Sequence, residues 1–533
     1  MERILFLLVI IFMSLSVLAQ PQMIKELPAN SAHYIGFKNN LYFAINDELW
    51  TSNGSANGTA KVIGLDEEIL DIKATENKLF ITTSTGNGIK LYVSNGTSAG
   101  TDSLTGAIFL GVPNNFTPFD GKVFFIGYSG AYSAELWVTD GTMAGTVLYS
   151  ALSSSPSANL TVFHNFLYFV SDKKLWKTNS ASNFPIMVLQ PSDFAENIEG
   201  LNPNSFTLDI CVGIINDKLI FSASFFDFTT FSQFVKLYST SGDIADYAAI
   251  KEINHVMYVS RSEMFNGKIV ISFYGENSVL HPVWITDGSV SGTLELLADV
   301  GTDAYTENLI PVGNKMVLAV SGQSVNYLFI TDGTPSGSGY FQVLRAGGSI
   351  RNMTSIDSKL FFTDHLIAGE YGSGDGINDW EFWQSNLTIE GTQMVRDLTS
   401  NSYDSYYGTD NLINVNRILY FSTGNGNFGW SNQQLINNTS RLWKYCEPFL
   451  AEVVTSVSPN VVNYLQPFPN PFSDRLTIKN VDGADISVLN ALGHIVHQEK
   501  NYTGPLDLSL LPEGVYSIKL EGSVQSYKVV KAK

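Results

Sequence analysis

Short apolar runs punctuate the chain from residue 41 to residue 446, and they come in pairs. The first member of each pair is a compact block: Leu41-Tyr42-Phe43, Leu79-Phe80-Ile81, Val123-Phe124-Phe125, Leu167-Tyr168-Phe169, Leu219-Ile220-Phe221, Ile269-Val270-Ile271, Met316-Val317-Leu318, Leu360-Phe361-Phe362 and Leu419-Tyr420-Phe421. The second member carries an aromatic anchor, in order Trp50, Tyr92, Trp137, Trp176, Tyr238, Trp284, Phe329, Trp383 and Trp443. No helical period links the blocks. Runs rich in β-branched and aromatic residues, bounded by Asn, Gly and Asp, predict strands.

Each anchor opens a longer phrase. Glu135 to Thr146 (ELWVTDGTMAGT) is the clearest copy, and it recurs at 48–59, 90–101, 282–293 and 327–338. Looser copies lie at 381–392, 174–183 and 236–243, and Arg441-Leu442-Trp443 keeps only the first three residues. The phrase parses as a strand, a turn on Asp-Gly or Asn-Gly, and a further strand, because those dipeptides tolerate positive φ. Three to four strands per unit without helices predict an all-β fold, a β-propeller of eight or nine blades over residues 20–455. The weakest copy, 174–183, leaves eight open. The ninth unit lacks its final strand, and Met23 to Leu27 is predicted to supply it beside Trp443. Trp50, Tyr92, Trp137, Trp176, Trp284, Phe329, Trp383 and Trp443 are read as packing anchors of the repeat rather than ligand platforms.

The two ends carry different signals. Residues 1–19 read as a secretory signal: an apolar stretch from Leu5 to Leu18 follows Arg3 and ends in Val17-Leu18-Ala19. It is too short for a membrane span, and no later segment reaches the length of one, so no transmembrane segment is expected. The absence of cysteine after the break argues against a lipid anchor there. Residues 456–463, with Ser458-Pro459-Asn460, read as a linker, and 464–533 as a small Ig-like β-sandwich. Three motifs mark that tail: Pro469-Asn470-Pro471-Phe472, Leu511-Pro512-Glu513-Gly514-Val515-Tyr516 and Lys528-Val529-Val530-Lys531. Together they resemble the C-terminal type A sorting domain of the bacterial type IX secretion system, although Phe468 stands where that family commonly has Tyr. The resemblance implies the type IX machinery as a partner and a secreted or outer-surface location on a Gram-negative bacterium. It also implies removal of the tail as the protein is released or attached. The repeats resemble the ELWxTDGTxxGT units of secreted bacterial proteins, which implies an architecture and no activity.

Charge narrows the partners. Lys and Arg total 31 against 50 Asp and Glu, a formal charge of −19 that argues against nucleic acid and anionic membranes. Cys211 and Cys446 fall in the fifth and ninth units, too far apart in a ring for a disulfide, and buried thiols are expected at both.

Catalytic patterns dissolve into the repeat. Gly96-Thr97-Ser98-Ala99-Gly100 has the form of a nucleophile elbow, but Ser98 aligns with Ala56, Met143, Val290 and Pro335 in the repeated turn. Asp140, Asp287 and Asp332 alternate with Asn53, Asn95 and Asn386, which is turn chemistry. No catalytic residue and no cofactor site is assigned. The acidic insertion around Asp375, Asn378 and Asp379 offers oxygen donors for a calcium ion, although its spacing is not that of an EF-hand and an ordinary acidic hairpin tip has the same composition. Aromatic residues outside the repeat are the candidate ligand contacts: Phe226 and Phe228, then Tyr403, Tyr406 and Tyr407, then Trp430. The function expected is a non-catalytic binding or adhesion module whose ligand is a polysaccharide or a surface protein. The alternative is an extracellular polysaccharide hydrolase or lyase on the same scaffold, which requires non-repeat acids and a His or Tyr to converge at one mouth of the channel.

Overall fold

The computed structural model describes residues 20–532 apart from 107, 131–132, 153–155, 180–183, 191–192, 194–205, 229, 243–245, 277–281, 298–303, 323–325, 345–349, 369–376, 397–408, 426–438, 447–465, 469–471, 480–484, 491–494 and 521–525. It divides into two compact units, Met1–Pro448 and Phe449–Lys533.

In the first unit, nine four-stranded antiparallel sheets are formed among the described residues. Eight are simple meanders. The first strands of successive sheets lie side by side, Ala32–Phe37 against Ile69–Ala74 and onward to Thr409–Val415, which lies against Ala32–Phe37 again. This closure defines a nine-bladed β-propeller with the first strand of each blade innermost. The weakest repeat copy still builds a full blade, because Lys174–Thr178 is the third strand of a four-stranded sheet.

The ninth sheet mixes the two ends. Gln22–Leu27 is its outermost strand, antiparallel to Thr439–Cys446, with Met23 opposite Trp443 and Leu27 opposite Ser440. Pairing there covers an edge that Thr439–Cys446 would otherwise expose.

The second strand of each blade is apolar throughout because both its faces are covered. Leu41, Phe43 and Ile45 pack with Val415, Tyr420 and Leu442 of blade 9, whereas Tyr42 and Ala44 pack with Leu79 and Ile81 of blade 2. Successive side chains point to opposite faces of a strand, so a layer sandwiched between two blades needs no polar alternation.

One hydrogen-bond pattern explains the repeated turn. In blade 3, Thr142 donates from its N–H (2.8 Å) and its hydroxyl (2.7 Å) to Asp140 Oδ1, and Gly145 N–H donates to Thr142 Oγ1 at 3.0 Å. Thr139 and Thr146 join their hydroxyls at 2.7 Å across the strands that flank the turn. Asn53, Asn95 and Asn386 accept the same pair of bonds in blades 1, 2 and 8, and Asp287 and Asp332 in blades 6 and 7. Only the side-chain carbonyl-type oxygen is used, which is why Asp and Asn interchange. Gly141 sits at φ 93°, a conformation that blade 8 forces on Leu387 at 63°, and a Cβ on Gly145 would stand 2.1 Å from Asp140 Oδ1, so the second glycine is the one the turn requires. Ser98 opens a short 3-10 turn capped by Thr97 in one of these loops and is exposed.

The aromatic anchors lie between blades. Phe329 and Tyr238 are buried; Trp50, Tyr92, Trp137, Trp176, Trp284, Trp383 and Trp443 are half-buried. Trp137 lies 5.2 Å from Phe109 and 6.3 Å from Phe125, and its Nε1 donates to Glu135 at 3.0 Å. Trp50 Nε1 donates to Glu48 at 2.8 Å in the same way. In blades 1 and 3 the Glu of the repeated phrase is thus the hydrogen-bond acceptor for its Trp. Blade 6 has Pro282 in that place, and among the described residues Trp284 Nε1 is buried with no partner, as is Trp383 Nε1. Cys446 is exposed, which corrects the expectation of a buried thiol: the strand ends there and leaves the side chain uncovered. The side chain of Cys211 lies outside the described residues.

The second unit is a small β-sandwich. A three-stranded sheet (Gln466–Phe468, Arg475–Lys479, Leu506–Asp507) and a four-stranded one share a single core that includes Phe472, Leu476, Val488, Tyr502 and Ile518. Tyr516 donates its hydroxyl to Pro512 O at 2.7 Å, and buried Lys531 donates to Leu508 O at 2.7 Å and to Ser509 O at 2.8 Å. Phe472 N–H donates to Val530 O at 2.9 Å, and Gly514 to Tyr516 pair with Lys531 to Val529, so the tail motifs bond to one another's backbone.

Candidate ligand-binding face

Four strands per blade return the chain to the side on which it began, so all nine first strands run the same way. Loops then sort by type. Turns between first and second strands, and between third and fourth, lie on one face. Turns between second and third strands, and the links from blade to blade, lie on the other.

The first face holds the repeated turns, and their backbone is committed to the scaffold. Lys78 Nζ of blade 2 donates to Asp140 O at 3.1 Å, Asn216 Nδ2 of blade 5 donates to Asp287 O at 2.8 Å, and Lys444 Nζ of blade 9 donates to Gly54 O at 2.8 Å. Tyr42 and Tyr168 donate likewise to Gly96 O and Gly242 O. In each case one blade holds the turn of the next, including across the closure.

The longest departure from the repeat among the described residues, the blade 5 hairpin, belongs to the opposite face. In blade 1 the second and third strands pair from Leu41 opposite Ser52 to Ile45 opposite Glu48. In blade 5 the matching ladder runs from Leu219 opposite Thr240 to Ala223 opposite Lys236, then continues to Asp227 opposite Ser232. Four further pairs raise this hairpin by roughly 13 Å at the usual rise per residue. Phe225 stacks on Phe234 (centroids 4.9 Å, planes 6° apart) in the core shared with blade 4. Phe226 alternates to the side that faces blade 6. Phe228 and Phe231 meet it edge-on, at 4.8 Å and 72° and at 6.5 Å and 81°. Phe228 is 55% and Phe231 75% exposed. Phe231 adopts φ 54°, a left-handed conformation unfavourable for a bulky residue. Thr230 Oγ1 bonds Asp227 Oδ2 at 2.8 Å and Ser232 Oγ at 2.7 Å, which ties the tip together.

Blade 6 supports this hairpin. Gln233 N–H donates to Glu276 Oε1 at 3.0 Å, and His255 N–H donates to Gln233 O at 2.9 Å, with the His255 ring 3.3 Å from Glu276. Next to them, Tyr258 stacks on Tyr274 at 5.1 Å with planes 5° apart. Burial, with the neighbouring Tyr274, raises the Tyr258 hydroxyl above the ordinary tyrosine range. Register alone creates this pair, since the two residues stand opposite one another on adjacent strands. No spacing in the sequence announces it. Phe231, by contrast, lies within the aromatic run that already contains Phe226 and Phe228.

Most of the other sequence candidates lie outside the described residues. Tyr403, Tyr406 and Tyr407 lie outside the described residues, between Gln393–Arg396 and Thr409–Val415. Trp430 also lies outside them, between the second and third strands of blade 9, Ile418–Asn425 and Thr439–Cys446. Asp375 lies outside them as well. Asn378 and Asp379 are successive positions on the third strand of blade 8, opposite Ile367 and Leu366. Among the described residues, no three His, Cys, Asp or Glu side chains gather as a metal site.

His33 and Asp71 are an acid and a His on neighbouring innermost strands, with Nδ1 and Oδ1 3.7 Å apart. Asp71 is also held by Lys73 at 2.9 Å, and burial lowers the pKa of His33 against the pull of Asp71. The carboxylate is thus engaged by a cation rather than poised as a base.

Residues 466–532 match the family described as the secretion system C-terminal sorting domain. The chain is therefore an exported β-propeller carrying a type IX sorting tail, a secreted or cell-surface protein. Among the described residues no helix is long and apolar enough to cross a membrane. No curated protein is significantly similar in sequence. Solved structures similar to the chain include a prolyl endopeptidase, at 10% identity over 67% of this chain and 54% of that one, with a TM-score of 0.37. Oligopeptidase B from Leishmania major matches at 11% identity, 68% and 54% coverage and a TM-score of 0.39. BamB from Moraxella catarrhalis matches at 11%, 64% and 96% coverage and a TM-score of 0.39. The matched region spans about half the length of the two peptidases, and the fold assignment rests on the strand order and closure described above.

Proposed function

We propose that the propeller is a non-catalytic binding or adhesion module that meets its ligand, a polysaccharide or a surface protein, on the face opposite the repeated turns. The observation that supports this is the segregation of the two classes of residue. Repeated Trp, Asp and Asn side chains are spent on packing and turns, while Phe226, Phe228 and Phe231, outside the repeat, stand on a blade 5 extension that the ring itself does not need. Residues 1–19 act as the export signal, 456–463 as the linker, and the repeats follow the ELWxTDGTxxGT pattern of secreted bacterial proteins.

The test is an array of polysaccharides and outer-surface proteins probed with the purified full chain, with each positive checked for released product. Saturable binding without product is expected. Product formation, or an array without any saturable signal, would overturn the reading.

A further inference from the structure

We propose that the tip of the blade 5 hairpin is a binding site for a neutral polysaccharide, with Phe228 and Phe231 stacking on sugar rings and the Asp227, Thr230 and Ser232 group meeting sugar hydroxyls. This deepens, and rests on, the reading of that face as a binding face.

The ring does not require the hairpin. Blade 1 closes its second and third strands after Ile45 opposite Glu48, while blade 5 adds four pairs beyond that level. What the extension adds is two exposed phenyl rings, one of them at positive φ, fixed against Phe226. A conformation and exposure that folding disfavours persist at ligand sites, where the surrounding structure holds them in place.

Chemistry selects the ligand class. A pyranose has an apolar C–H face and an edge of hydroxyls. The tip alternates in the same sense: Phe226, Asp227, Phe228, then Thr230, Phe231, Ser232. A protein contact instead concentrates apolar residues at its centre and puts polar ones at a rim. Here hydrogen-bonding groups sit between the rings, with Thr230 bonded to both Asp227 and Ser232. The net charge of −19 disfavours anionic polymers, and rings and hydroxyls, with Asp227 the one charged side chain from Phe226 to Ser232, match a neutral one. The stacked Tyr258 and Tyr274 add a second aromatic pair on the adjoining blade.

The full chain is titrated calorimetrically with cellohexaose, laminarihexaose and mannohexaose, alongside the double variant Phe228→Ser/Phe231→Ser and the opposite-face control Met143→Ser. At least one hexaose should bind saturably, with little dependence on salt. Loss of the two rings should weaken it by about tenfold or more, while the control binds as wild type. Both rings are exposed, so the melting temperature of the double variant should not move, which separates lost binding from lost folding. No binding by any hexaose overturns the proposal. Wild-type retention on octyl-agarose that the double variant lacks, without saccharide binding, reassigns the tip to an apolar protein contact. Equal hexaose binding by wild type and double variant also overturns the site, yet leaves the binding function standing elsewhere on that face.

Discussion

Met23 stands opposite Trp443 in the antiparallel ladder that completes the ninth blade. This strand takes part in closing the ring, beside the contact of the first strands of blades 9 and 1, and Leu27, 1% exposed, is its apolar anchor against Leu41 and Leu442.

Leu27→Ala should lower stability by about 2–5 kcal/mol, the cost of a buried leucine truncation. The check is the urea midpoint of the full chain. Because the lesion sits at the seam, hydrogen exchange should rise first in blades 9 and 1. Uniform exchange in all blades would argue that closure is not the weak point.

The repeated turn makes a sharp comparison of two glycines. Gly145→Ala drives a Cβ to 2.1 Å from Asp140 Oδ1, whereas Gly339→Ala meets open space. The first should cost about 1–3 kcal/mol through loss of the turn's hydrogen bonds, and the second should lie within about 0.5 kcal/mol of wild type. Thermal melts of the two variants decide it.

The aspartates of the turns set an acid limb. Hydrogen bonds from the Thr142, Ser289 and Thr334 hydroxyls, with their N–H groups, hold Asp140, Asp287 and Asp332 below the ordinary carboxylate value of 3.8. A depressed folded pKa contributes stability above the unfolded value, about pH 4, which is lost as pH falls through the folded one. The triple variant Asp140→Asn/Asp287→Asn/Asp332→Asn should match wild type at neutral pH and lose less stability below about pH 4. Parallel urea titrations across that range check it. A steeper acid limb in the triple variant would refute the sign.

Trp137 and Trp284 differ by one acceptor. Trp137→Phe leaves Glu135, itself largely buried, without the indole donor and should cost about 1–2 kcal/mol. Trp284→Phe removes an N–H that has no partner and should be nearly neutral. Trp137→Ala, which also removes packing on Phe109 and Phe125, should cost about 3 kcal/mol or more. Equal costs for the two Phe variants would show that the Glu contributes nothing to its Trp.

Much of the scaffold was legible because its signals are local. Apolar triplets such as Leu41-Tyr42-Phe43 mark strands through neighbouring residues alone, and Asp140-Gly141 followed by Gly145 closes a turn within six residues. The terminal motifs of the tail belong to the same class. The candidate site was legible only in part. Phe226 and Phe228 stand out because they interrupt a repeat, whereas Tyr258 and Tyr274 become a pair only when two strands settle into register.

By itself, then, the sequence determined the strand blocks, the turn chemistry, the aromatic anchors and the sorting tail, since each depends on side chains a few residues apart. That Met23 to Leu27 completes the blade of Trp443 was also legible, from the strand missing in the ninth unit. The tertiary structure alone decided that the ring has nine blades and that the blade 5 hairpin stands on the face opposite the repeated turns. Those outcomes depend on how many four-stranded units close a circle and on which way the first strands run. Both are set by packing between blades, and no stretch of sequence inside one blade contains that information.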